Sequence, residues 1–134
     1  MEDIFVGRLM SAGCITVSPG TPVETAAKTL LERNIGSLVV VDDDNQLEGI
    51  LTSTDFVRIV RDNDPSDETT VGEHMTEHVV AVTAQDSVRD AADKLITYDI
   101  HHLPVVDDEE GVIGMLSTTD LTAYISDVQK ASPP

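Results

Sequence analysis

The chain has 134 residues, 40% of them hydrophobic, with two Phe, two Tyr and no Trp, so it holds one compact unit or two very small ones around an aliphatic core. Asp and Glu number 25 against 8 Lys and Arg, a formal net charge of −17, which excludes a nucleic-acid-binding surface because such a surface needs cations against phosphate. No apolar run reaches membrane length, the charged start Met1-Glu2-Asp3 does not resemble a secretory signal, and the single cysteine rules out an internal disulfide. An intracellular, cytoplasmic location is the default expectation. Dense carboxylates with few lysines read as a salt-adapted surface, so a halophilic source is expected. Cys14 itself reads as a small buried apolar residue.

In chain order, the first β-prone stretch runs from Cys14 to Val17. Thr21-Pro22 follows as a helix opener, with Pro22 at the first helical position, and Val23, Ala26, Ala27, Leu30 and Leu31 recur at helical spacing. Two strands come next, Ser37 to Val41 and Leu47 to Leu51, joined by the hairpin-like turn Asp42-Asp43-Asp44-Asn45. A second helix follows, with Ser53 or Thr54 as candidate cap. After the linker Asp62-Asn63-Asp64-Pro65-Ser66-Asp67 the series restarts with a stretch from Val79 to Val82 and the opener Asp86-Ser87. Val88, Ala91, Ala92, Leu95 and Ile96 mark a helix; Leu103 to Val106 and Val112 to Leu116 form strands across a turn from Asp107 to Gly111; Thr118 or Thr119 opens the last helix.

The second series is the first one displaced by 65 residues without a gap. Val6-Gly7-Arg8-Leu9-Met10 returns as Val71-Gly72-Glu73-His74-Met75, Val40-Val41-Asp42-Asp43 as Val105-Val106-Asp107-Asp108, and Thr54-Asp55 as Thr119-Asp120. Each copy therefore reads β-α-β-β-α, at residues 6–62 and 71–128 with a linker at 63–70. One copy alone buries too little core to stand independently. The expected class is α/β, more narrowly α+β, with two repeats packed face to face by pseudo-two-fold symmetry.

The residues that stay in register also carry a family resemblance. Val6-x-x-x-Met10 and Val71-x-x-x-Met75, the strands Leu38-Val39-Val40-Val41-Asp42 and Leu103-Pro104-Val105-Val106-Asp107, and a doubled Gly-hydrophobic-hydrophobic-Thr/Ser-x-x-Asp signature resemble the cystathionine-β-synthase-type (CBS) domain family from about Val6 to Ile125. The signature copies are Gly49-Ile50-Leu51-Thr52-Ser53-Thr54-Asp55 and Gly114-Met115-Leu116-Ser117-Thr118-Thr119-Asp120. The resemblance implies a regulatory module for an adenine nucleotide (AMP, ADP or ATP) or S-adenosylmethionine, with no tightly bound cofactor. It implies that Thr52 or Ser117 meets phosphate and Asp55 or Asp120 the ribose hydroxyls, at a strand-to-helix junction whose free N–H groups favour anions. It further implies shared sites: Ser117 and Asp120 with Met10, Ile15, Gly36 and Ser37, and Thr52 and Asp55 with Met75, Val80, His101 and His102, Ile50 and Met115 flanking the base. The same residue types also suit plain helix N-termini.

The histidines carry two further expectations. His74 and His78 have a helical zinc-ligand spacing, but a strand is expected to start at Val79, so the register breaks near Met75 and no metal site is expected. His101-His102 opposes Gly36-Ser37 in the repeat, and only one of two successive strand residues can line a cleft; this entrance is expected to turn cationic near neutral pH. No Ser-His-Asp order, G-x-S-x-G string, P-loop or Cys/His zinc cluster is present, and no catalysis is expected. The family implies a homodimer, and with no output domain in these residues the effector is expected to be a separate protein. The alternatives are a ligand-free dimerisation module, or a divalent-cation-responsive module using the acidic turns near Asp42 and Asp107.

Overall fold

A computed structural model describes residues 4–62 and 68–131 of the chain. Its elements are α1 (Val6–Leu9), β1 (Ser11–Ala12), β2 (Thr16–Val17), α2 (Val23–Arg33), β3 (Ser37–Val41), β4 (Leu47–Thr52), α3 (Ser53–Arg61), α4 (Val71–His74), α5 (Val88–Thr97), β5 (His102–Asp107), β6 (Gly111–Ser117) and α6 (Thr118–Ala131). The class is mixed α+β with two sheets. Met1-Glu2-Asp3 and residues 63–67 of the expected linker lie outside the described residues.

Two compact units emerge, and their boundary falls inside each repeat rather than between the repeats. A continuous unit spans Ile15–Val79; a split unit joins the residues up to Cys14 to those from Val80 onward. In the continuous unit β2 runs parallel to β3, pairing Val17 with Val40, and β3 runs antiparallel to β4, pairing Leu38 with Leu51. The outer edge of β4 is closed by Thr76, whose backbone exchanges two hydrogen bonds with Ile50 at 2.9 and 3.0 Å. The split unit repeats the pattern: Val82 bridges Val105 in parallel, Leu103 pairs with Leu116 between β5 and β6, and β1 closes β6 through Ser11 opposite Met115.

Each repeat's opening segment thus completes a sheet made largely by the other repeat, and backbone groups lock it there. In the split unit the Val6 N–H donates to the Asp86 carbonyl and the Gly7 N–H to the Ala84 carbonyl, both at 2.9 Å. In the continuous unit the Val71 N–H donates to Thr21 and the Gly72 N–H to Pro19, both at 2.8 Å. The signature glycines explain themselves here. A Cβ on Gly49 would stand 2.6 Å from the Met75 sulfur and 2.9 Å from the Thr76 carbonyl oxygen, and one on Gly114 would stand 2.8 Å from the Ser11 carbonyl oxygen. The close approach of the incoming segment leaves no room for a side chain.

The cores are aliphatic, as composition required. Ala26, Leu38, Val40, Leu51 and Val71 fill the continuous unit; Val6, Val82, Ala91, Leu95, Leu103, Val105 and Leu116 fill the split one. Helices α2 and α5 stop alike: Asn34 and Asp99 adopt left-handed backbone, and the next N–H, of Ile35 or Ile100, returns to the carbonyl of Leu30 or Leu95.

Several expectations need correction. The Cys14–Val17 strand shrinks to Thr16–Val17, and Val79 to Val82 keeps only the Val82 bridge, because only the inner ends of these segments reach β3 or β5. Pro22 is the N-cap of α2, not its first residue: its ψ of 141° is extended while its carbonyl already accepts the Ala26 N–H. The caps of α3 and α6 are Thr52 and Ser117 rather than the residues after them. Leu31 and Ile96 are exposed, since each lies about 100° around the helix from the inward Leu30 or Leu95. The Val-x-x-x-Met motifs form the short helices α1 and α4, and Ser11–Ala12, which no pattern in the sequence marks, forms β1.

Candidate functional site

The two Thr/Ser-x-x-Asp motifs sit where β4 gives way to α3 and β6 to α6. In the first, the Asp55 Oδ2 accepts the Thr52 backbone N–H at 2.8 Å and its hydroxyl at 3.3 Å, while the Thr52 side chain faces the Asp55 backbone, a reciprocal capping box. In the second, the Asp120 Oδ2 accepts the Ser117 N–H at 2.9 Å and hydroxyl at 3.1 Å, and the Asp120 N–H returns a bond to the Ser117 oxygen at 3.2 Å. The carbonyl just before each hairpin strand also joins in: Gly36 accepts from the Ser53 N–H and His101 from the Thr118 N–H at 3.0 Å. Each motif therefore places an acidic side chain, a hydroxyl and the first amides of a helix in one small volume. Those groups suit hydroxyls and phosphate on a single ligand.

The motifs differ at their edges. Asp55 is 3% exposed, and its second oxygen accepts from Arg58 Nη1 at 3.2 Å. Asp120 is half-buried, and among the described residues its second oxygen accepts from the Ser11 hydroxyl, at 3.5 Å. Arg58 and Ser11 were both missed in the sequence. The Asp-x-x-Arg spacing on one helix face signals the first, whereas nothing local signals the second, which arrives by sheet pairing.

The expected site residues divide by unit. Ile15, Gly36, Ser37, Ile50 and Met75 lie with Thr52 and Asp55 in the continuous unit; Met10, Val80, His101, His102 and Met115 lie with Ser117 and Asp120 in the split unit. Ser37 pairs directly with Thr52, and His102 with Ser117. Met75 packs over Gly49 and Met10 over Gly114. Ile50 and Met115 sit opposite Thr76 and Ser11, while Ile15 and Val80 pack against the two cores. Met10 and Met75 thus accompany the motifs named for them, whereas the grouping of Ile15, Gly36 and Ser37 with Ser117, and of Val80 and the histidines with Thr52, draws on both units.

The two histidines of the second entrance differ in burial. His101 is exposed and His102 half-buried, as alternation demands. Burial foremost, then the neighbouring His101, pushes the His102 imidazole below its ordinary range, with Asp120 pulling it back up. Burial therefore makes His102 harder to charge than a free imidazole.

Other candidates fall away on geometry. Helix α4 ends at His74, and Met75 is extended with ψ 153°, so His74 and His78 share no helix. The Asp42 Oδ1 accepts the Asp44 and Gln46 amides at 2.9 Å, and the Asp107 Oδ2 those of Glu109 and Glu110 at 3.0 and 2.9 Å. In each acidic turn one carboxylate oxygen thus serves to fold the turn itself. Among the described residues no group of three His, Cys, Asp or Glu is placed to hold a metal ion, and no helix is long and apolar enough to cross a membrane. Cys14 is half-buried, and burial raises its thiol pKa, which keeps it protonated.

Comparison with known proteins gives the same picture. The CBS domain model matches residues 6–62 and again 71–127. An uncharacterized 17.7 kDa protein of Acidianus ambivalens is 32% identical over 92% of this chain and 74% of its own length. The homoserine O-acetyltransferase of Methanohalobium evestigatum is 30% identical over 95% of this chain, which spans only 25% of that enzyme. Among solved structures, the CBS domain pair of protein MJ0100, in complex with 5′-methylthioadenosine and S-adenosyl-L-methionine, superposes with a TM-score of 0.86 at 30% identity, covering 95% of this chain and 99% of that one. CBSX2, in complex with AMP, gives 0.83 at 26% identity, covering 93% and 98%. With its two matched repeats spanning most of its length, the chain belongs to the CBS domain family.

Proposed function

We propose that this chain is a regulatory rather than catalytic module that binds an adenosine-derived ligand through its Thr/Ser-x-x-Asp motifs and reports occupancy to a separate effector protein. The observation that carries this reading is the doubled motif, each copy gathering carboxylate, hydroxyl and helix-opening amides at a strand end. Similar domain pairs in complex with AMP, or with S-adenosyl-L-methionine and 5′-methylthioadenosine, support the ligand class. A ligand bound only by the folded chain stabilises it by about 2.7 kcal/mol at a hundredfold excess over Kd. AMP, ADP, ATP and S-adenosyl-L-methionine are therefore compared by thermal unfolding in molar KCl. An unmoved transition with all four sinks the proposal.

Salt matters to that experiment. With a net charge of −17, self-repulsion eases as the Debye length falls from ~8 Å to ~3 Å at 1 M. The salt-adapted reading predicts a melting temperature that climbs steeply into molar KCl, and a flat profile removes it.

A second reading, a ligand-free dimerisation module, is favoured by one observation: within each motif hydroxyl and carboxylate already satisfy each other as caps. A homodimer fits either reading. Exposed Leu31 and Val60 in the continuous unit recur as exposed Ile96 and Ile125 in the split unit, so a second copy would meet the same aliphatic pair twice. Native mass spectrometry separates bare dimer from nucleotide-bound dimer, and Leu31→Glu with Ile96→Glu should yield monomer.

A further inference from the structure

We infer that the two motifs are unequal receptors: Arg58 latches Asp55 shut, so ligand enters first, and at moderate concentration only, at Ser117 and Asp120. The inference rests on the adenosine-ligand reading above and specifies which motif serves it. A ribose recognised by an Asp carboxylate needs an oxygen that can accept from its hydroxyls. Asp55 offers none. Its Oδ2 is taken by the Thr52 amide and hydroxyl, its Oδ1 by the Arg58 guanidinium at 3.2 Å, and the residue is 3% exposed. A bond donated by a charged guanidinium outcompetes one donated by a neutral hydroxyl.

Arg58 is itself 58% exposed, so this pair adds little to folding. Its effect is local: it fills the acceptor, and the ligand must either displace it or stay out. In the split unit the position equivalent to Arg58 is Ala123, which carries no donor. Asp120 is half-buried, and beyond the capping bonds its outer oxygen meets, among the described residues, a neutral hydroxyl, Ser11, at the long distance of 3.5 Å. A ribose hydroxyl can replace that contact with a shorter one. The latch thus follows from one difference between equivalent helix positions, and the opening from that difference together with the greater exposure of Asp120.

The test has an arm without ligand and an arm with it. Carbodiimide coupling of glycine ethyl ester, mapped by mass spectrometry, should label Asp120 well before Asp55 in the wild type, and Arg58→Ala should expose Asp55 to the reagent. Calorimetric titration with AMP in molar KCl should show one site per chain in the wild type. A second site should appear in Arg58→Ala, and binding should weaken about tenfold in Ala123→Arg, which supplies the missing latch. Equal labelling of the two carboxylates, or two equal AMP sites in the wild type, overturns the latch while leaving the adenosine reading intact. Unequal labelling without heat from AMP or S-adenosyl-L-methionine in any variant overturns the adenosine reading, and the receptor inference falls with it.

Discussion

The continuous and split units use the same backbone design with different side chains around it. Both hold the incoming segment by main-chain bonds at equivalent positions, Val71 and Gly72 in one and Val6 and Gly7 in the other, and both end a hairpin strand in a reciprocal cap. They part company where side chains border that cap: Ser37 against His102, Thr76 against Ser11, Arg58 against Ala123. A hook built from N–H and carbonyl groups is indifferent to most side chains, so architecture can repeat while the chemistry beside it varies. Similarity of fold between the units is therefore no argument for similarity of affinity.

The largest expected effect tests whether the cores are equivalent. Leu38→Ala in the continuous unit and Leu103→Ala in the split unit each remove a fully buried side chain and should each cost ~2–5 kcal/mol by denaturant unfolding. A much smaller loss at Leu103 would mean that the split unit contributes little to the cooperative transition. Next come the signature glycines. Gly114→Ala presses on the Ser11 carbonyl and Gly49→Ala on the Thr76 carbonyl and Met75, overpacking that should cost ~1–3 kcal/mol. Amide exchange should quicken at Ser11 and Ala12 in the first case and around Thr76 in the second; the reverse pattern would contradict the segment assignment. The caps follow: Thr52→Ala and Ser117→Ala should each cost ~1 kcal/mol and fray α3 or α6 respectively.

The smallest effect is a pH dependence confined to one unit. The folded-state pKa of His102 lies below the unfolded value of ~6.5. Below that value the unfolded chain takes up the proton first, so this contribution is fully present above ~6.5 and is lost as pH falls through the interval to the folded pKa. Ser37, its counterpart, does not titrate. Amide exchange on β5 should thus speed up on mild acidification relative to β3, and His102→Gln should remove the difference. An unaltered profile in the variant would assign the effect to other groups.

Much of this was legible in sequence because it is local. The β3 and β4 spans, the β5–β6 hairpin, the aliphatic helix faces of Ala26 and Ala91 and the family signature all follow from spacing within one repeat. What escaped is non-local. Ser11 and Thr76 become sheet edges only because distant strands present unpaired amides to them, and Arg58 matters because Asp55 is buried. The cap positions slipped by a residue for a subtler reason: in runs such as Thr52-Ser53-Thr54 every residue can cap, and only the end of the strand ladder decides among them. The charge state of His102 likewise depends on burial, which pattern alone does not give.

The exchange of opening segments also bears on the order in which the chain can acquire structure during synthesis. The continuous unit has all its parts once Val79 has left the ribosome. Residues 4–12, made before any of it, have no sheet to join until Met115 appears about a hundred residues later, a wait on the order of ten seconds at ordinary elongation rates. Residues 4–12 are thus among the last described residues to find their place, and a nascent-chain series should show Val6 and Ser11 accessible to protease well after the first hairpin is protected.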